Sequence, residues 1–395
     1  MLNLVKVYEA IESKGSLIRN FQQQSERLLQ TFSSYCQQLS SISVKDFNSR
    51  LVAYGESFAG ALATDELQAK GLRTDRFDED LTSHEDICIW KEQILKDRAV
   101  CAVDGSQIEA DKNLGLFFGA VQVAWYVNFH SLSRGPIKDV HFDIVLPNDS
   151  LDEEQEFKQY IAFQRFSQEI RALALWIERV AASQSPKTPV AFFDGSLTLS
   201  FVPTASLRRQ YQEEVNHLLF QSEKYQVPIV AFIDTSQAYN LSKSLQIAFG
   251  KDLSGRVVPD VKLLKPYLTQ WGDRSAFFKY FDSSLGANAQ PESFAEVGFC
   301  YLKTSSRNAS SARLELPYWV FQKGLLDEVV DVVLAECLVG NGYPYPLEVA
   351  DSVAVLQASE REVFYATLEK KLGMELGKSN KLQSKHNRRK ASIKL

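Results

Sequence analysis

Two different spacings of apolar residues divide this chain. In residues 1 to about 90 the apolar positions recur three and four residues apart, as in NFQQQSERLLQTFSSYCQQL, without strand-like apolar runs. This is the spacing of an amphipathic helix. We therefore predict an N-terminal helical arm, which is either a packed cap without a function of its own or a surface for a partner or a second copy.

From about residue 98, short apolar runs each end in an acid. These runs are AVCAVDGS, PVAFFDGSL and VPIVAFIDTS, and two more predicted strands lie in GLFFGAVQVAWYVNF and HFDIVL. Helical spacings stand between them at 153–183 and 205–225. Strands that alternate with helices are typical of an α/β domain with a largely buried sheet. We predict a helical arm over 1–90, an α/β domain over 91–365 and a basic, flexible tail over 366–395.

The composition excludes several classes of protein. Of the 395 residues, 45% are hydrophobic and 24% charged, which is the composition of a globular protein and not of a disordered one. The five cysteines are scattered without a Cys-x-x-Cys pair, which disfavours zinc ribbons and disulfides and favours a reducing compartment. No stretch approaches the roughly 18 to 20 apolar residues of a membrane span. We therefore expect a cytoplasmic protein.

The net charge of −5 conceals a strongly basic C-terminal segment. Residues 370–395 contain nine Lys and Arg against a single Glu. Such a segment on an acidic body favours contact with a polyanion, because Lys and Arg near phosphates release condensed counterions. The candidate phosphate contacts are Lys385, Arg388, Arg389 and Lys390. The alternative is a solvated terminus that only aids solubility.

Three aspartates stand where predicted strands end. Asp104, Asp194 and Asp234 each follow a buried apolar run. Ligands of an open α/β sheet bind outside the carboxyl ends of its strands, so these acids are predicted at the functional edge. Taken singly, each Asp can instead form an Asx-turn or cap a helix.

Helical periodicity adds a fourth acid, Glu169. The predicted helix over 161–180 has an apolar stripe made of Phe166, Ile170, Leu173, Ile177 and Val180. At about 100° per residue Glu169 falls on this stripe, whereas Glu178 falls outside it. A buried carboxylate requires a partner, because an unpaired buried charge is costly. That partner is either a divalent cation or an arginine such as Arg165.

Two strand-end acids and a helical glutamate together suggest a carboxylate cage for Mn²⁺ or Mg²⁺. These hard ions prefer oxygen ligands, and the five histidines lack a zinc spacing such as His-x-x-x-His. In such a site two ions about 4 Å apart hold the scissile phosphate, one activating water and the other stabilising the leaving oxygen. The order of the acids resembles RNase H-like nucleases, whose first strand also ends in Asp-Gly-Ser.

Seven motifs in a fixed order extend this resemblance over residues 98–356. They are AVDGSQ around Asp104, the helix with Glu169, FFDGSL around Asp194, IDTS with Asp234, WGDRSAFF at 271–278, ARLELPYW at 312–319 and GNGYPYPLEVADSVAVL at 340–356. In this order they resemble the bacterial branch of the NurA family, nucleases of DNA end processing. The Asp-Gly-Ser motif alone is weak, whereas the ordered set is specific.

The resemblance implies a fold, an activity and partners. The fold is an RNase H-like mixed sheet flanked by helices, with an N-terminal helical region and a basic C-terminal tail. The activity is a Mn²⁺-dependent DNA nuclease, with Mg²⁺ as a second option and two ions in the site. It would act as a 5′ to 3′ exonuclease, and on single strands as an endonuclease, on DNA ends in double-strand break repair. The partners are DNA ends, a second copy of the chain and the hexameric ATPase HerA.

The resemblance also assigns roles by position. Asp104 and Asp194 would be metal ligands, with Glu169 as the third, and Asp234 is a candidate ligand at a strand end that varies in the family. Tyr343 would be the active-site tyrosine that orients phosphate or water.

Asp351 is a departure from the family pattern. Where the family has Tyr-Pro, Leu and Ala-His, this chain has Tyr343-Pro344, Leu347 and Ala350-Asp351. Asp351 thus stands in place of a histidine that would be a ligand or a general acid/base. Aspartate can coordinate Mn²⁺ but cannot be a cationic proton donor near neutral pH. We expect either retained metal binding with slower turnover or a changed metal preference; the alternative is a surface residue in a decayed site.

Other functions and roles remain open at this point. A second hypothesis is a catalytically weakened NurA-like adaptor that binds DNA or the ATPase without efficient cleavage. A haloacid-dehalogenase-like phosphatase is disfavoured, because none of the three strands carries an Asp-x-Asp pair. Arg274 is either a DNA phosphate contact or a structural partner of Asp273 or Glu315.

Overall fold

The computed structural model describes residues 2–74, 81, 83–109, 118–147, 154–183, 185–199, 205–250, 255–282, 296–306 and 311–373. Its helices are α1 (Leu4–Leu39), α2 (Val44–Val52), α3 (Asp65–Lys70), α4 (His84–Leu95), α5 (Glu154–Ala182), α6 (Ala205–Tyr225), α7 (Asn240–Phe249), α8 (Asp260–Leu264), α9 (Tyr318–Gln322), α10 (Leu326–Val339), α11 (Tyr345–Ala354) and α12 (Ala358–Leu372). Its strands are β1 (Ala59–Ala63), β2 (Arg73–Thr74), β3 (Val100–Ile108), β4 (Gly119–Asn128), β5 (Ile137–Val145), β6 (Val190–Asp194), β7 (Ile229–Ile233), β8 (Arg274–Ser275), β9 (Phe278–Asp282), β10 (Val297–Leu302) and β11 (Ala312–Pro317).

The chain forms two compact units that are interleaved in sequence. The first unit comprises Met1–Trp90, Gly195–Thr198 and Ala231–Val330, and the second comprises Lys91–Asp194, Leu199–Val230 and Asp331–Leu395. The chain therefore crosses from one unit to the other several times, including within α4, β7 and α10. The predicted division at residues 90 and 365 describes sequence segments and stays a prediction.

The second unit contains a mixed sheet with the strand order β5-β4-β3-β6. Strand β4 is antiparallel to both β5 and β3, and β3 is parallel to β6. The predicted mixed sheet flanked by helices is confirmed, and the helices predicted at 153–183 and 205–225 are α5 and α6.

Helices cover both faces of β3. The Glu169 carboxylate of α5 lies against Gly105, while the Ser106 hydroxyl donates to the carbonyl of Ala354 on α11 at 2.6 Å. Because successive residues of a strand face opposite sides of a sheet, α5 and α11 lie on opposite faces. The strand is thus enclosed, which explains its apolar sequence.

The first unit contains an antiparallel sheet and its own core. The strand order is β1-β9-β10-β11 followed by the last residues of β7, with β2 and β8 forming a short pair at β10. The end of α1 packs into this core through Phe32, Cys36 and Leu39. Towards the start of α1, Leu4, Ile11 and Ile18 are exposed.

Two expectations about strands were wrong in part. The segment predicted to be helical also contains β1 and β2, because Ala, Gly and Leu in AGALA are weak strand formers whose pairing with distant β9 makes the strand. Strand β3 does not end at Asp104, because β4 continues to pair with it as far as Ile108. Only the pairing of β3 with β6 stops before Asp104, after Val103 and Phe193.

Two sequence expectations concern the chain as a whole. No helix among the described residues is long and apolar enough to cross a membrane. The candidate phosphate contacts of the tail, Lys385, Arg388, Arg389 and Lys390, lie outside the described residues.

Candidate active site

Asp104 and Asp194 stand next to each other where two parallel strands stop pairing. The register runs from Val100 opposite Val190 to Val103 opposite Phe193, so the two acids are the next residues on their strands. Neighbouring strands lie about 4.8 Å apart, and residues in register point to the same side of the sheet. The structure thus brings together two carboxylates separated by 90 positions in the sequence.

Glu169 joins them from α5. Its side chain is buried, as are the apolar residues of the predicted stripe, whereas Glu178 is exposed. A Cβ atom on Gly105 would lie only 2.5 Å from Glu169 Oε1, so glycine is required for the carboxylate to lie against the strand. Glu169 Oε1 has no hydrogen-bond partner. A buried acceptor without a partner is costly, which marks this oxygen as a candidate ligand atom.

The acids in this cluster influence each other's protonation. Burial, together with the charges of Asp194 and Asp351, raises the pKa of Asp104 to about 6 against the lowering effects of the Gly105 N–H and Arg165. Burial also raises the pKa of Glu169 to about 8, with Arg165 opposing and Asp104 and Asp194 adding to the shift. Desolvation and like charges both disfavour the ionised carboxylate. The cluster is therefore short of positive charge.

Tyr343 reaches the same acids from the segment before α11. Its hydroxyl is hydrogen-bonded to Asp194, and burial together with the charges of Asp194, Asp104 and Asp351 raises its pKa. The backbone is fixed by a tight turn in which Gly342 has a φ of 107° and its N–H donates to the Cys337 carbonyl at 2.7 Å. Pro344 then precedes α11, which begins at Tyr345. The tyrosine is thus held as a neutral donor.

Asp351 is on α11 and is exposed, yet its charge acts on both Asp104 and Tyr343. The C-terminal end of this helix is anchored to β3 and β4 through Ser106 and Gln122, whose side chains donate to the Ala354 carbonyl. The residue that departs from the family pattern therefore lies in the electrostatic reach of the acids.

Two other predicted site residues lie in the first unit. Asp234 is exposed in the turn after β7, where the Thr235 hydroxyl donates to it at 3.5 Å, and its role as a ligand stays a prediction. Arg274 requires a correction, because its side chain is fully buried and bonded to Glu66 at 2.6 and 2.8 Å and to Asp327 at 2.7 Å. In this position it is a structural residue and is not available to DNA. Its partners also differ from the expected Asp273 and Glu315.

Glu315 is a residue whose importance sequence reasoning missed. Its carboxylate accepts hydrogen bonds from Leu197 N at 2.7 Å, from Thr198 N at 3.2 Å and from the Ser196 and Thr198 hydroxyls. Arg313 Nε donates to it at 2.8 Å, and both side chains are buried. This carboxylate fixes the turn that directly follows Asp194. The signal was an alternating Arg and Glu within a strand that is otherwise apolar.

The acids fit a hard divalent cation by their chemistry. Their donors are carboxylate oxygens, which Mn²⁺ and Mg²⁺ prefer, and one of them, Glu169 Oε1, is buried without a hydrogen-bond partner. Across the described ranges, no three His, Cys, Asp or Glu side chains form a group that could hold an ion as they stand.

Comparisons with known proteins give one family and several solved structures of differing similarity. A family model described as the NurA domain matches residues 98–356. The crystal structure of the NurA nuclease from Sulfolobus solfataricus is similar, with a TM-score of 0.50 and 16% identity over 94% of this chain and 98% of that chain. The catalytic domain of human Endonuclease V gives a TM-score of 0.34 at 14% identity, over 77% of this chain and 94% of that chain. Endonuclease V from Bacillus subtilis gives 0.33 at 12% identity, over 75% and 99%. No curated protein matches the sequence.

Proposed function

This chain belongs to the NurA family, whose model covers more than half of its residues, and from this premise we propose that it is a metal-dependent DNA nuclease that processes DNA ends. The observation that carries the proposal is the meeting of Asp104, Glu169, Asp194 and Asp351 with Tyr343 around the end of β6. A concentration of acids in which Asp104 and Glu169 have raised pKa values is typical of a functional site.

The proposed roles follow from chemistry and position. Asp104, Asp194 and Glu169 would hold Mn²⁺ or Mg²⁺, with Asp351 as a further ligand. A bound cation supplies Lewis acidity, which activates water and stabilises the leaving oxygen. Tyr343, a neutral donor beside Asp194, orients a phosphate oxygen or the attacking water through its hydroxyl.

The finer properties rest on the family resemblance. We propose Mn²⁺ as the preferred ion, two ions in the site and 5′ to 3′ exonuclease action, with single-strand endonuclease action in addition. We also propose a cytoplasmic homodimer that works with a HerA-like hexameric ATPase in double-strand break repair. On α1, Leu4, Ile11 and Ile18 are exposed at seven-residue intervals, a coiled-coil spacing that supports pairing of two copies.

The proposal predicts that cleavage depends on the paired strand-end acids. Linear DNA labelled at either end is incubated with the full chain and Mn²⁺, and released nucleotides are measured over time. We expect Asp104→Asn and Asp194→Asn to reduce the rate at least about a hundredfold, since even outer partners of metal ligands contribute about 10- to 100-fold. Asp139→Asn on exposed β5 is the matched control. Equal rates for all variants would remove these acids from the mechanism.

A weakened adaptor is the second candidate, favoured by the aspartate at position 351. This hypothesis predicts that Asp351→His raises the cleavage rate by about tenfold or more, because an imidazolium can supply the missing proton. DNA affinity, measured in Ca²⁺ to prevent cleavage, should change little. If the native chain already cleaves at a rate that Asp351→His does not improve, the adaptor hypothesis is wrong.

A further inference from the structure

Arg165 is placed at the acid cluster but has no role in the scheme above. It is on α5, one turn before Glu169, and its Nη1 donates to the Gly105 carbonyl at 3.0 Å. Its Cγ lies 3.2 Å from the position a Cβ atom on Gly105 would occupy. About 39% of its side chain is exposed, although Nε is buried. One part of the guanidinium is therefore fixed to the strand while the side chain still reaches solvent.

The ion pair between Arg165 and Glu169 is incomplete. The Nε and Oε1 atoms lie 3.6 Å apart, and both are buried without a hydrogen-bond partner. Two other arginines in this protein form complete pairs with two hydrogen bonds each. Arg274 donates to the Glu66 carboxylate at 2.6 and 2.8 Å, and Arg171 donates to the Glu214 carboxylate at 2.6 and 3.3 Å. The guanidinium of Arg165 is thus not saturated by a carboxylate in the way that a purely structural arginine is.

The charge around Arg165 creates a requirement that this arginine can meet. Asp104, Glu169, Asp194 and Asp351 together repel any phosphodiester that approaches them. Arg165 acts electrostatically on both Asp104 and Glu169, which places its positive charge at the same position. A guanidinium presents parallel donors that match two phosphate oxygens, and it stays charged at all relevant pH values.

We propose that Arg165 binds a phosphate of the DNA strand at the acid cluster, exchanging its incomplete pair with Glu169 for a charge-assisted contact to the substrate. The inference rests on the proposed nuclease function and adds a substrate-binding residue to it. In this scheme Arg165 would contact the phosphate, and the Glu169 carboxylate would then be available as a ligand for a cation.

The test measures DNA affinity without cleavage. Fluorescence anisotropy with a labelled oligonucleotide in Ca²⁺ is recorded for the native chain, Arg165→Gln, Arg165→Lys and the control Arg171→Gln, which is on the same helix and more exposed. We expect Arg165→Gln to weaken binding by about tenfold or more, as for loss of a hydrogen bond to a charged group. The slope of log affinity against log salt should fall by about 0.7 to 0.9, the value for one phosphate contact. Arg165→Lys should retain the native salt slope but not the full DNA affinity, because lysine keeps the positive charge and lacks the paired N–H donors of the guanidinium.

Two further measurements separate the explanations. A native DNA affinity and a native salt slope in both Arg165 variants would overturn the inference. A native salt slope together with a changed Mn²⁺ affinity, measured by calorimetry, would show that Arg165 only positions Glu169, and this result would overturn it as well. If Arg165→Gln does not fold, as judged by circular dichroism, the comparison of Arg165→Lys with the native chain decides. If the native chain does not cleave DNA in Mn²⁺, the proposed function fails, while the affinity difference still decides the role of Arg165.

Discussion

Gly105 lets the Glu169 carboxylate lie directly against the backbone of β3. The space that a side chain at position 105 would fill is occupied by α5. Two atoms of Glu169 and one of Arg165 lie within 3.2 Å of the ideal Cβ position. Both charged residues depend on the same small space. Because β3 continues through Gly105 to Ile108, the glycine of the Asp-Gly-Ser motif does not make a turn; it determines how closely α5 brings its charges to Asp104.

Gly105→Ala is expected to displace the Glu169 carboxylate. The new methyl group would overlap Oε1 at 2.5 Å, so the cleavage rate should fall at least about tenfold while the free energy of unfolding falls by about 1 to 3 kcal/mol, as for overpacking. Cleavage assays and urea unfolding measure the two effects. Gly135→Ala is the control, since no atom lies within 4 Å of its Cβ position. A native cleavage rate in Gly105→Ala would show that this close packing is irrelevant to activity.

The burial of Glu169 could be predicted from the sequence, whereas the roles of the arginines could not. Helical periodicity alone separates buried Glu169 from exposed Glu178, because both are on one regular helix. Arg274 is different: its buried partners Glu66 and Asp327 are remote in sequence, and no local spacing indicates them. From the sequence alone, a basic residue in a motif is equally consistent with a ligand contact and with a structural ion pair.

The turn after β6 is held by β11 through a single carboxylate. The Glu315 carboxylate accepts hydrogen bonds from two backbone N–H groups and two hydroxyls of residues 196–198, and Arg313 balances its charge. Residues 196–198 are thus held by a strand more than 110 residues later in the chain. The pairing of β11 with β7 and its contacts with residues 196–198 depend on tertiary contacts that no local sequence pattern indicates.

Glu315→Gln should loosen this turn. A neutral amide leaves Arg313 as an uncompensated buried charge, so the free energy of unfolding should fall by about 3 kcal/mol. Because the turn directly follows Asp194, kcat for DNA cleavage should also fall, with a smaller change in KM. The control Glu296→Gln removes a more exposed partner of Lys279 and should leave both quantities nearly unchanged. An unaltered kcat in Glu315→Gln would limit this residue to stability.

The candidate site is assembled by contacts between distant parts of the chain. Periodicity predicts strands and helices, and family resemblance predicts which acids belong together, but the register of β3 on β6 makes Asp104 and Asp194 neighbours. The same applies to the pair of partly buried His130 and buried Glu336, at 3.2 Å, which links the end of β4 to α10. No local sequence pattern indicates such a pair, so its effect on the pH dependence of stability cannot be predicted from the sequence.

Stability should decrease with rising pH because of His130. Burial lowers the pKa of this histidine, but the hydrogen bond and charge of Glu336 outweigh that effect and raise the pKa above 6.5. The contribution of the pair is therefore fully present below pH 6.5 and is lost as the pH rises through the raised pKa of the folded state. Urea unfolding of the native chain and His130→Gln should differ by about 2 kcal/mol at pH 5.5 and by less at pH 9. Exposed His141→Gln is the control; a pH-independent difference would contradict the assignment.

The interleaving of the two units has a practical consequence for dissecting this protein. Asp104 and Asp351 belong to the same unit. The sequence between them includes residues 195–198 and 231–330, which belong to the other unit. Trimming from either terminus therefore cannot yield a minimal nuclease fragment, since removal of residues after 330 deletes Tyr343 together with Asp351. A smaller enzyme would require an internal excision rejoined by a linker, and limited proteolysis within 231–330 should give a nicked species whose pieces co-purify.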